Sequence, residues 1–408
     1  MKNFHPADKI QDLQYFGEFG GVNPSISDSS TYTFLSAKTM FDTFEGNADG
    51  CYLYSRHATP SNLYLAQALA AMENTEAANV TASGMGAISA VILQLCKNGD
   101  EIVASRTIYG GTYALMKNFL PRLGIKTRFV DINNLKEVEA AITPATRVIY
   151  CESVSNPLLG VANLPAISLL SKKYDLKFVV DNTFSPLMIT PANHGADVVI
   201  HSLTKFINGS SDTVGGVICA TQEFIDALRN VNDGACMLLG PTMDSLRAAG
   251  ILKNLRTLHI RMKQHSYNAQ FLAERFEQDG LRVCYPGLQS HRSYEVMRAI
   301  SNSQFGYGGM LTLDAGSLVK ANELMEMMQK ENLGYLAVSL GFYKTLFSAP
   351  GTSTSSEIPL EEQEAMGLSD GMIRFSIGLD ASIDRTYSRM KECMKHVGVG
   401  EEQGEIVM

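Results

Sequence analysis

One lysine of this chain stands at the end of an apolar, strand-like run, just before a stretch of small residues. The run Ala196–Phe206 contains Lys205, and residues 207–216 are rich in Ser, Thr and Gly. Such a lysine is either solvated at the end of a strand or held as a nucleophilic amine. Burial and nearby positive charge lower the pKa of a lysine and make its neutral, Schiff-base-forming state accessible. Ser202 and Thr204 add hydroxyls that can bind phosphate oxygens, but this segment alone leaves both interpretations open.

An aspartate follows a second buried-strand pattern upstream. Asp181 ends the run Lys177–Asp181, some two dozen residues before Lys205. A carboxylate in this place can keep the ring nitrogen of pyridoxal phosphate protonated, so that the ring accepts electrons. The alternative is an Asp-Asn turn that closes a parallel strand. Taken together with the lysine segment, the cofactor-binding interpretation is favoured.

A third segment has the pattern of an anion site. Residues 79–87 form a strand-like run and a turn that contains Ser83, Gly84 and Met85, and a helix-like run follows at 88–95. Free backbone amides and the positive end of a helix dipole bind anions in such turns. No lysine follows the glycines, so this is no Walker loop, and the dinucleotide-binding spacing is incomplete. The pattern predicts a site for a single phosphate.

Together the three segments resemble the Cys/Met-metabolism family of pyridoxal-phosphate enzymes, the trans-sulfuration group, and the likeness runs from about Asn23 to Gly378. This resemblance implies the fold of the type I pyridoxal-phosphate enzymes, an α/β fold with a mostly parallel sheet, helices on both faces and a smaller C-terminal α+β domain. It implies that Lys205 binds the cofactor as a Schiff base. It also implies that Asp181 faces the pyridine nitrogen.

The resemblance assigns further residues to the cofactor and the substrate. The implied phosphate ligands are Ser83, Gly84, Met85, Ser202 and Thr204. Tyr109 is implied to stack on the cofactor ring and assist proton transfer, and Asn156 to lie near the phenolic oxygen of the ring. Arg374 is implied to bind the substrate α-carboxylate, a task that suits a planar guanidinium. Without the family, Arg374 reads as an ordinary strand-edge arginine. Ser339 is implied to position the substrate.

Two residues near the N-terminus carry an implication about assembly. Tyr54 and Arg56 match a pair that, in this family, reaches the cofactor phosphate of the neighbouring subunit. The resemblance therefore implies a homodimer with shared active sites, usually doubled to a homotetramer. Residues 1–58 show little periodicity, and in this family such an arm contacts the partner subunit.

The remaining chain divides into two parts. From 59 to 250, strand-like runs alternate with helical patterns, which predicts a mostly parallel sheet that binds ligands at the carboxyl ends of its strands. The clearest strands are Glu101–Ser105, Thr127–Asp131, Arg147–Glu152 and Phe178–Asp181, and clear helices are Leu135–Ile142 and Ala166–Lys173. Residues 251–408 read as a smaller α+β domain.

Three features of this smaller domain are specific enough to check. A long helical pattern covers Leu252–Phe276, and we expect Arg256, Arg261 and Lys263 within it to form a solvated face. Gly308–Asp314 predicts a strand and Leu318–Met328 a helix. We expect the polar tail, residues 400–408, to be poorly ordered.

Composition narrows the class of protein. The 408 residues are 45% hydrophobic and 19% charged, which is ordinary for a globular chain, and the net charge of -8 argues against nucleic-acid binding. Neither a membrane-spanning run nor the apolar core of a signal peptide is visible, so we expect a cytoplasmic protein. The seven scattered cysteines predict reduced thiols rather than disulfides, and no metal-site pattern is found.

Single positions bear on the reaction. Val338 stands where cystathionine-handling members carry a glutamate, and this favours a short thioether or ester side chain in the substrate. Gly111 stands where methionine γ-lyases carry a cysteine, and Phe342 and Tyr343 are bulkier than expected there and are predicted to narrow or cover the pocket. The resemblance implies a carbon-sulfur lyase that performs γ-elimination on L-methionine or a related sulfur amino acid. The alternatives are γ-replacement on an O-acylhomoserine and cystathionine cleavage.

Overall fold

The computed structural model describes residues 4–400 except 46, 49, 354–360, 362 and 364–367. Our expectation of a poorly ordered tail covers residues 400–408, and all of these except Gly400 lie outside this described part. Within it, no helix is both long and apolar enough to cross a bilayer.

The helices and strands alternate through the first half of the chain. Helices α1 to α14 are, in chain order, Pro6–Gln11, Ala37–Phe44, Pro60–Glu73, Gly84–Leu95, Gly110–Ala114, Leu135–Ala141, Leu164–Lys173, Gln222–Arg229, Ala235–Leu239, Ser245–Leu255, Leu258–Gln278, Tyr294–Ile300, Leu318–Lys330 and Ile383–Val397. Strands β1 to β12 are Ala77–Thr81, Glu101–Ser105, Lys126–Val130, Thr146–Glu152, Lys177–Asp181, Val198–Ser202, Gly216–Ala220, Val283–Cys284, Met310–Asp314, Tyr335–Leu336, Leu346–Ser348 and Met372–Ser376. Shorter turns of helix are Glu18–Gly20, Leu115–Phe119, Leu120–Leu123, Pro191–His194, Ser303–Phe305 and Pro350–Thr352.

A mainly parallel sheet forms the centre of the fold. In the described part of the chain it has seven strands in the order β1-β7-β6-β5-β4-β2-β3, and β7 runs antiparallel to both of its neighbours. Successive side chains of a strand point to opposite faces, so the apolar β6 contributes to two cores. Val199 packs in the cluster that contains α3, whereas Val198 and Ile200 pack in the cluster that contains α4. Helices therefore cover both faces, as the sequence predicts.

The smaller sheet has five strands among the described residues, in the order β10-β11-β12-β9-β8. Its pairs are antiparallel except for β10 with β11. One core cluster joins its buried side chains to those of α11, α13 and α14. In this sheet Arg374 of β12 lies between Ser348 of β11 and Thr312 of β9. The predicted strand at Gly308–Asp314 and helix at Leu318–Met328 are thus both present, as β9 and α13.

The single long helix predicted for Leu252–Phe276 is wrong, because α10 ends at Leu255 and α11 begins at Leu258. Arg261 accounts for the break in physical terms. Its guanidinium donates to the carbonyl of Asn254 at 3.0 Å, in the last turn of α10, and to the carbonyl of Ile207 at 2.8 Å. Arg261 is therefore part-buried rather than solvated, and burial lowers its pKa to about 10.

A buried polar network joins α3 to the central sheet beside the lysine segment. His201 Nε2 lies 2.7 Å from Glu73 Oε1, and both side chains are fully buried. Asn182 Nδ2 donates to the same oxygen at 3.1 Å. Glu73 ends α3, His201 precedes the last residue of β6 and Asn182 follows β5, so the network ties three elements together directly beneath the edge that carries Asp181 and Ser202.

We expect Glu73→Ala to lower the free energy of unfolding by roughly 3–5 kcal/mol, because the change leaves His201 and Asn182 buried without their acceptor. The matched control is Glu76→Ala, since Glu76 is exposed and, among the described residues, accepts from the Gln222 amide alone. That change should cost about 1 kcal/mol or less. Urea unfolding of both variants measures the difference, and equal losses would contradict a stabilising network.

Candidate active site

A cavity of about 330 Å³ opens at the carboxyl edge of the central sheet. The ends of three neighbouring strands reach it, at Glu152, Asp181 and Ser202, and the smaller sheet contributes Arg374 and the loop that follows β10. The predicted site residues that line it are Ser83, Gly84, Met85, Tyr109, Asn156, Asp181, Ser202, Thr204, Lys205, Val338, Ser339 and Arg374. Residues far apart in the sequence therefore meet where parallel sheets bind their ligands.

Lys205 lies in the turn that follows β6, with its amine directed at the loop that follows β10. Lys205 Nζ donates to Ser339 Oγ at 2.9 Å. Burial lowers the pKa of this amine to about 8, and the positive charge of Arg374 acts in the same direction. Roughly one amine in ten is then neutral at pH 7, far more than for a solvated lysine. Of the two interpretations that the sequence leaves open, this burial and the lowered pKa favour a lysine held as a nucleophilic amine over one solvated at the end of a strand.

Asp181 is buried at the end of β5, where Thr183 fixes its carboxylate. Thr183 donates to Asp181 Oδ1 from its backbone amide at 3.0 Å and from its hydroxyl at 2.5 Å. The hydroxyl of Thr183 in turn accepts from the amide of Ser202 at 2.8 Å. Burial raises the pKa of Asp181, which means that this carboxylate gains from a protonated partner.

The start of α4 fits a phosphate. Ser83 caps the helix by accepting from the amide of Gly86 at 2.9 Å, and Gly84 begins it. A Cβ on Gly84 would lie only 2.9 Å from the Cβ of Ser202, so glycine is what allows this helix end to approach the end of β6. Thr204 Oγ1 accepts from the Gly215 amide at 3.2 Å, which fixes the second hydroxyl. Backbone amides, a helix dipole and hydroxyls converge as an anion requires.

Arg374 is buried and faces the cavity from the opposite side. Its Nη1 donates to Asn156 Oδ1 at 3.0 Å, and its Nη2 lies 3.3 Å from the carbonyl oxygen of Ser339. Burial lowers the pKa of the guanidinium to about 10. Ser339 therefore contacts both cations, and it does so with a backbone φ of +86°, a region that non-glycine residues rarely adopt. A strained backbone at Ser339, the residue that contacts Lys205, is typical of functional sites, where the surrounding structure holds such a conformation in place.

Glu152 and Thr183 also line the cavity, although the sequence patterns predict no role for either. Thr183 is two residues after Asp181, and this spacing is typical of a turn in which the aspartate accepts from the backbone two residues on, so the contact could have been predicted from the sequence. Glu152 ends a predicted strand next to the strand of Asp181, and the two residues are register partners. A second carboxylate at the same edge was therefore a readable signal.

Tyr54 and Arg56 do not line the cavity within the described chain. Tyr54 is 46% exposed, and Arg56 donates to the carbonyl of Met237 at 2.8 Å. Phe342 and Tyr343 do not contribute to the cavity lining among the described residues, so they do not narrow the cavity directly, and the expectation that they cover it stays a prediction. Their rings instead pack on each other, with centroids 4.5 Å apart.

Gly111 has a steric reason in this structure. A Cβ added at Gly111 would lie 2.6 Å from the Cε1 atom of the Tyr109 ring. Any larger residue, a cysteine included, would therefore displace this ring from its present place. The present position of the Tyr109 ring therefore requires a glycine at position 111.

Each chemical group of pyridoxal phosphate finds a suitable partner among these side chains. The cavity offers an anion site at the start of α4, a buried carboxylate for the protonated ring nitrogen and a lysine whose amine is accessible in its neutral form. When bound, the cofactor supplies an electron sink for substrate carbons that lose a proton.

Comparison with known proteins agrees with this fit. The family profile described as Cys/Met metabolism PLP-dependent enzyme matches residues 9–386. A methionine γ-lyase from Arabidopsis thaliana is 42% identical over 95% of this chain and 89% of its own length. A cystathionine γ-lyase from Bacillus subtilis is 36% identical over 90% of this chain and 92% of its own length.

A solved structure makes the same point about the fold. The structure of an O-acetylhomoserine (thiol)-lyase from Campylobacter jejuni covers 96% of this chain and 100% of its own, with a TM-score of 0.88 and 27% identity. That protein carries a pyridoxyl-lysine phosphate group. The resemblance, the fold type and the cofactor predicted from the sequence are thereby confirmed. This chain belongs to the Cys/Met metabolism family of pyridoxal-phosphate-dependent enzymes.

Proposed function

We propose that this enzyme is a carbon-sulfur lyase that performs γ-elimination on L-methionine or a close analogue. The products are 2-oxobutyrate, ammonia and a thiol. The carrying observation is the composition of the cavity lining. Arg374 is available there for an α-carboxylate, whereas Val214, Val338 and Leu340 offer uncharged surface for the rest of the substrate. Relatives named methionine γ-lyase support the same assignment.

Four polar side chains have a proposed task in this reaction. Arg374 binds the α-carboxylate in a bidentate manner and orients the α-carbon. The Lys205 amine removes the α-proton and transfers it onward, because its lowered pKa makes the neutral base available near neutral pH. Tyr109 assists proton transfer at the Cβ and Cγ end of the substrate. Ser339 holds the amine of Lys205 toward the substrate through its hydroxyl.

The apolar side of the cavity bears on the substrate. A methylthio group is uncharged and gains from contact with Val338, whereas the distal ammonium of cystathionine finds no carboxylate at that position. The second candidate is γ-replacement on an O-acylhomoserine. It is favoured by Gly111, since this glycine lets the Tyr109 ring occupy space that a methionine γ-lyase gives to a cysteine.

Release of 2-oxobutyrate from L-methionine, without added thiol, tests the proposal. We expect steady release by the pyridoxal-phosphate-loaded enzyme and none by Lys205→Ala, because the change removes the base. Lys136→Ala, at an exposed helical position, is the matched control and should retain full activity. Release that survives in Lys205→Ala would contradict the role of this lysine.

A second outcome separates the two reactions. If the loaded enzyme forms no 2-oxobutyrate from L-methionine but converts O-acetylhomoserine and a thiol into a thioether, γ-replacement is the function. The test uses the same protein preparation, so differences in folding or cofactor content do not enter the comparison.

The pH dependence of cofactor capture tests the state of Lys205. Only the neutral amine attacks the aldehyde of pyridoxal phosphate, so its rate should rise with pH up to about 8 and then level off. Stopped-flow absorbance after mixing apoenzyme and cofactor measures this rate. Arg374→Met removes the neighbouring positive charge, so its plateau should move to higher pH. A wild-type rate that still rises tenfold per pH unit above 9 would contradict a lowered pKa.

We propose that the enzyme is at least a homodimer with shared active sites, and further a homotetramer. The arm supports this proposal, because it exposes large apolar side chains that a monomer leaves in water. Phe16, Phe19, Val22 and Leu35 are each at least 85% exposed. Tyr54 and Arg56, outside the cavity of their own chain, are then available to the phosphate site of the partner. We propose the division into an arm, residues 1–58, a cofactor domain, 59–250, and a smaller domain, 251–408, on this basis.

Mixing two inactive variants tests the shared site. Arg56→Ala and Lys205→Ala should each be inactive or nearly so, yet subunit exchange between them should restore about a quarter of the cavities, because one site of each mixed dimer carries neither change. Turnover is measured before and after exchange in mild denaturant. No gain, with mixed dimers demonstrated by a mass tag, would place Arg56 outside the partner's site.

We also propose a cytoplasmic location. All seven cysteines of the chain lie in the described part and are free thiols, as expected in a reducing compartment.

A further inference from the structure

Glu152 is a buried carboxylate of the cavity to which neither the reaction nor the cofactor gives a task. Its side chain accepts two hydrogen bonds from the backbone. Oε1 accepts from the amide of Tyr109 at 2.7 Å, and Oε2 accepts from the amide of Asn156 at 2.9 Å. The two oxygens thus bridge the start of α5 and the loop that follows β4.

The two bridged residues carry side chains that face the cavity. Tyr109 is the residue immediately before α5, so its backbone sets the place of its ring. Asn156 accepts from Arg374, so the place of Asn156 fixes one end of this guanidinium. One carboxylate therefore sets the separation of a ring and a guanidinium that belong to different domains of the chain.

An ionised carboxylate at this buried position is energetically unfavourable, so its presence indicates that the site needs its two acceptor oxygens. Burial raises the pKa of Glu152, and the charge of Asp181 on the neighbouring strand acts in the same direction. A glutamine has the same size and avoids this repulsion. Its amide nitrogen, however, donates and does not accept, so it would satisfy only one of the two amides. Two acceptors on one side chain are what the site needs.

We propose that Glu152 is a positioning residue whose two oxygens hold the backbones of Tyr109 and Asn156, and through Asn156 the substrate-binding Arg374. The proposal rests on the proposed function for the reaction that benefits. Positioning of Arg374 by Glu152 should affect how tightly the loaded enzyme binds any α-amino acid, whichever reaction follows.

Binding of L-norvaline, which has no γ-leaving group, tests the proposal without lyase turnover. We expect Glu152→Gln to weaken norvaline binding roughly tenfold, because an unsatisfied amide loosens Asn156 and hence Arg374. The visible spectrum of the loaded enzyme during titration gives the dissociation constant. The matched control is Glu101→Gln, which removes a carboxylate at the opposite, amino edge of the same sheet and should leave the constant unchanged.

A second variant separates bridging from charge. Glu152→Asp keeps the charge but is too short to reach both amides, so it should weaken norvaline binding as much as Glu152→Gln does. It also replaces Glu152→Gln in the test if that variant does not fold. Norvaline binding within twofold of wild type in either folded, loaded variant would overturn the proposal. If the wild-type enzyme binds norvaline but does not turn over methionine, only the proposed function is overturned.

Discussion

Two basic side chains, Lys205 and Arg374, line one cavity in which both are largely buried, and Ser339 contacts both of them. The hydroxyl of Ser339 accepts from the lysine, and its carbonyl lies within hydrogen-bond distance of the guanidinium. Positive charges at this separation disfavour each other, and this repulsion helps to hold a neutral amine available at Lys205. The positive charge of the same two groups favours anions in the cavity, in agreement with the proposed binding of a substrate carboxylate there.

The fold brings these charges together from both halves of the chain. The parallel strands end at a common edge, so Asp181 and the turn of Lys205 meet there with the start of α4. The smaller sheet then places Arg374 opposite that edge, on a central strand where its backbone cannot shift easily. Arg261 secures the connection, because its guanidinium binds carbonyls of both the lysine turn and α10. The two sheets thus place Asp181 and Arg374, whereas Lys205 and Ser339 lie in the turn and the loop that follow β6 and β10.

The sequence predicts the parts of this site that follow from local patterns. Lys205 and Asp181 could be found because each follows an apolar run, and Gly84 because a strand, a small turn and a helix follow one another. Long-range contacts could not be read in this way. Arg261 reads as solvated because its partners are backbone carbonyls, which leave no mark in the sequence, and the same contacts divide the predicted long helix. Phe342 and Tyr343 are bulky in either place, and only the structure shows that they pack on each other.

The identity of the cofactor-binding lysine is the most direct test of this account. Borohydride reduction of the loaded enzyme, followed by peptide mass spectrometry, reports which lysine carries the pyridoxyl group. We predict that the modification is found on Lys205 and on no other lysine. A pyridoxyl group on a different lysine, or a loaded enzyme with none, would contradict the assignment of this cavity as the active site.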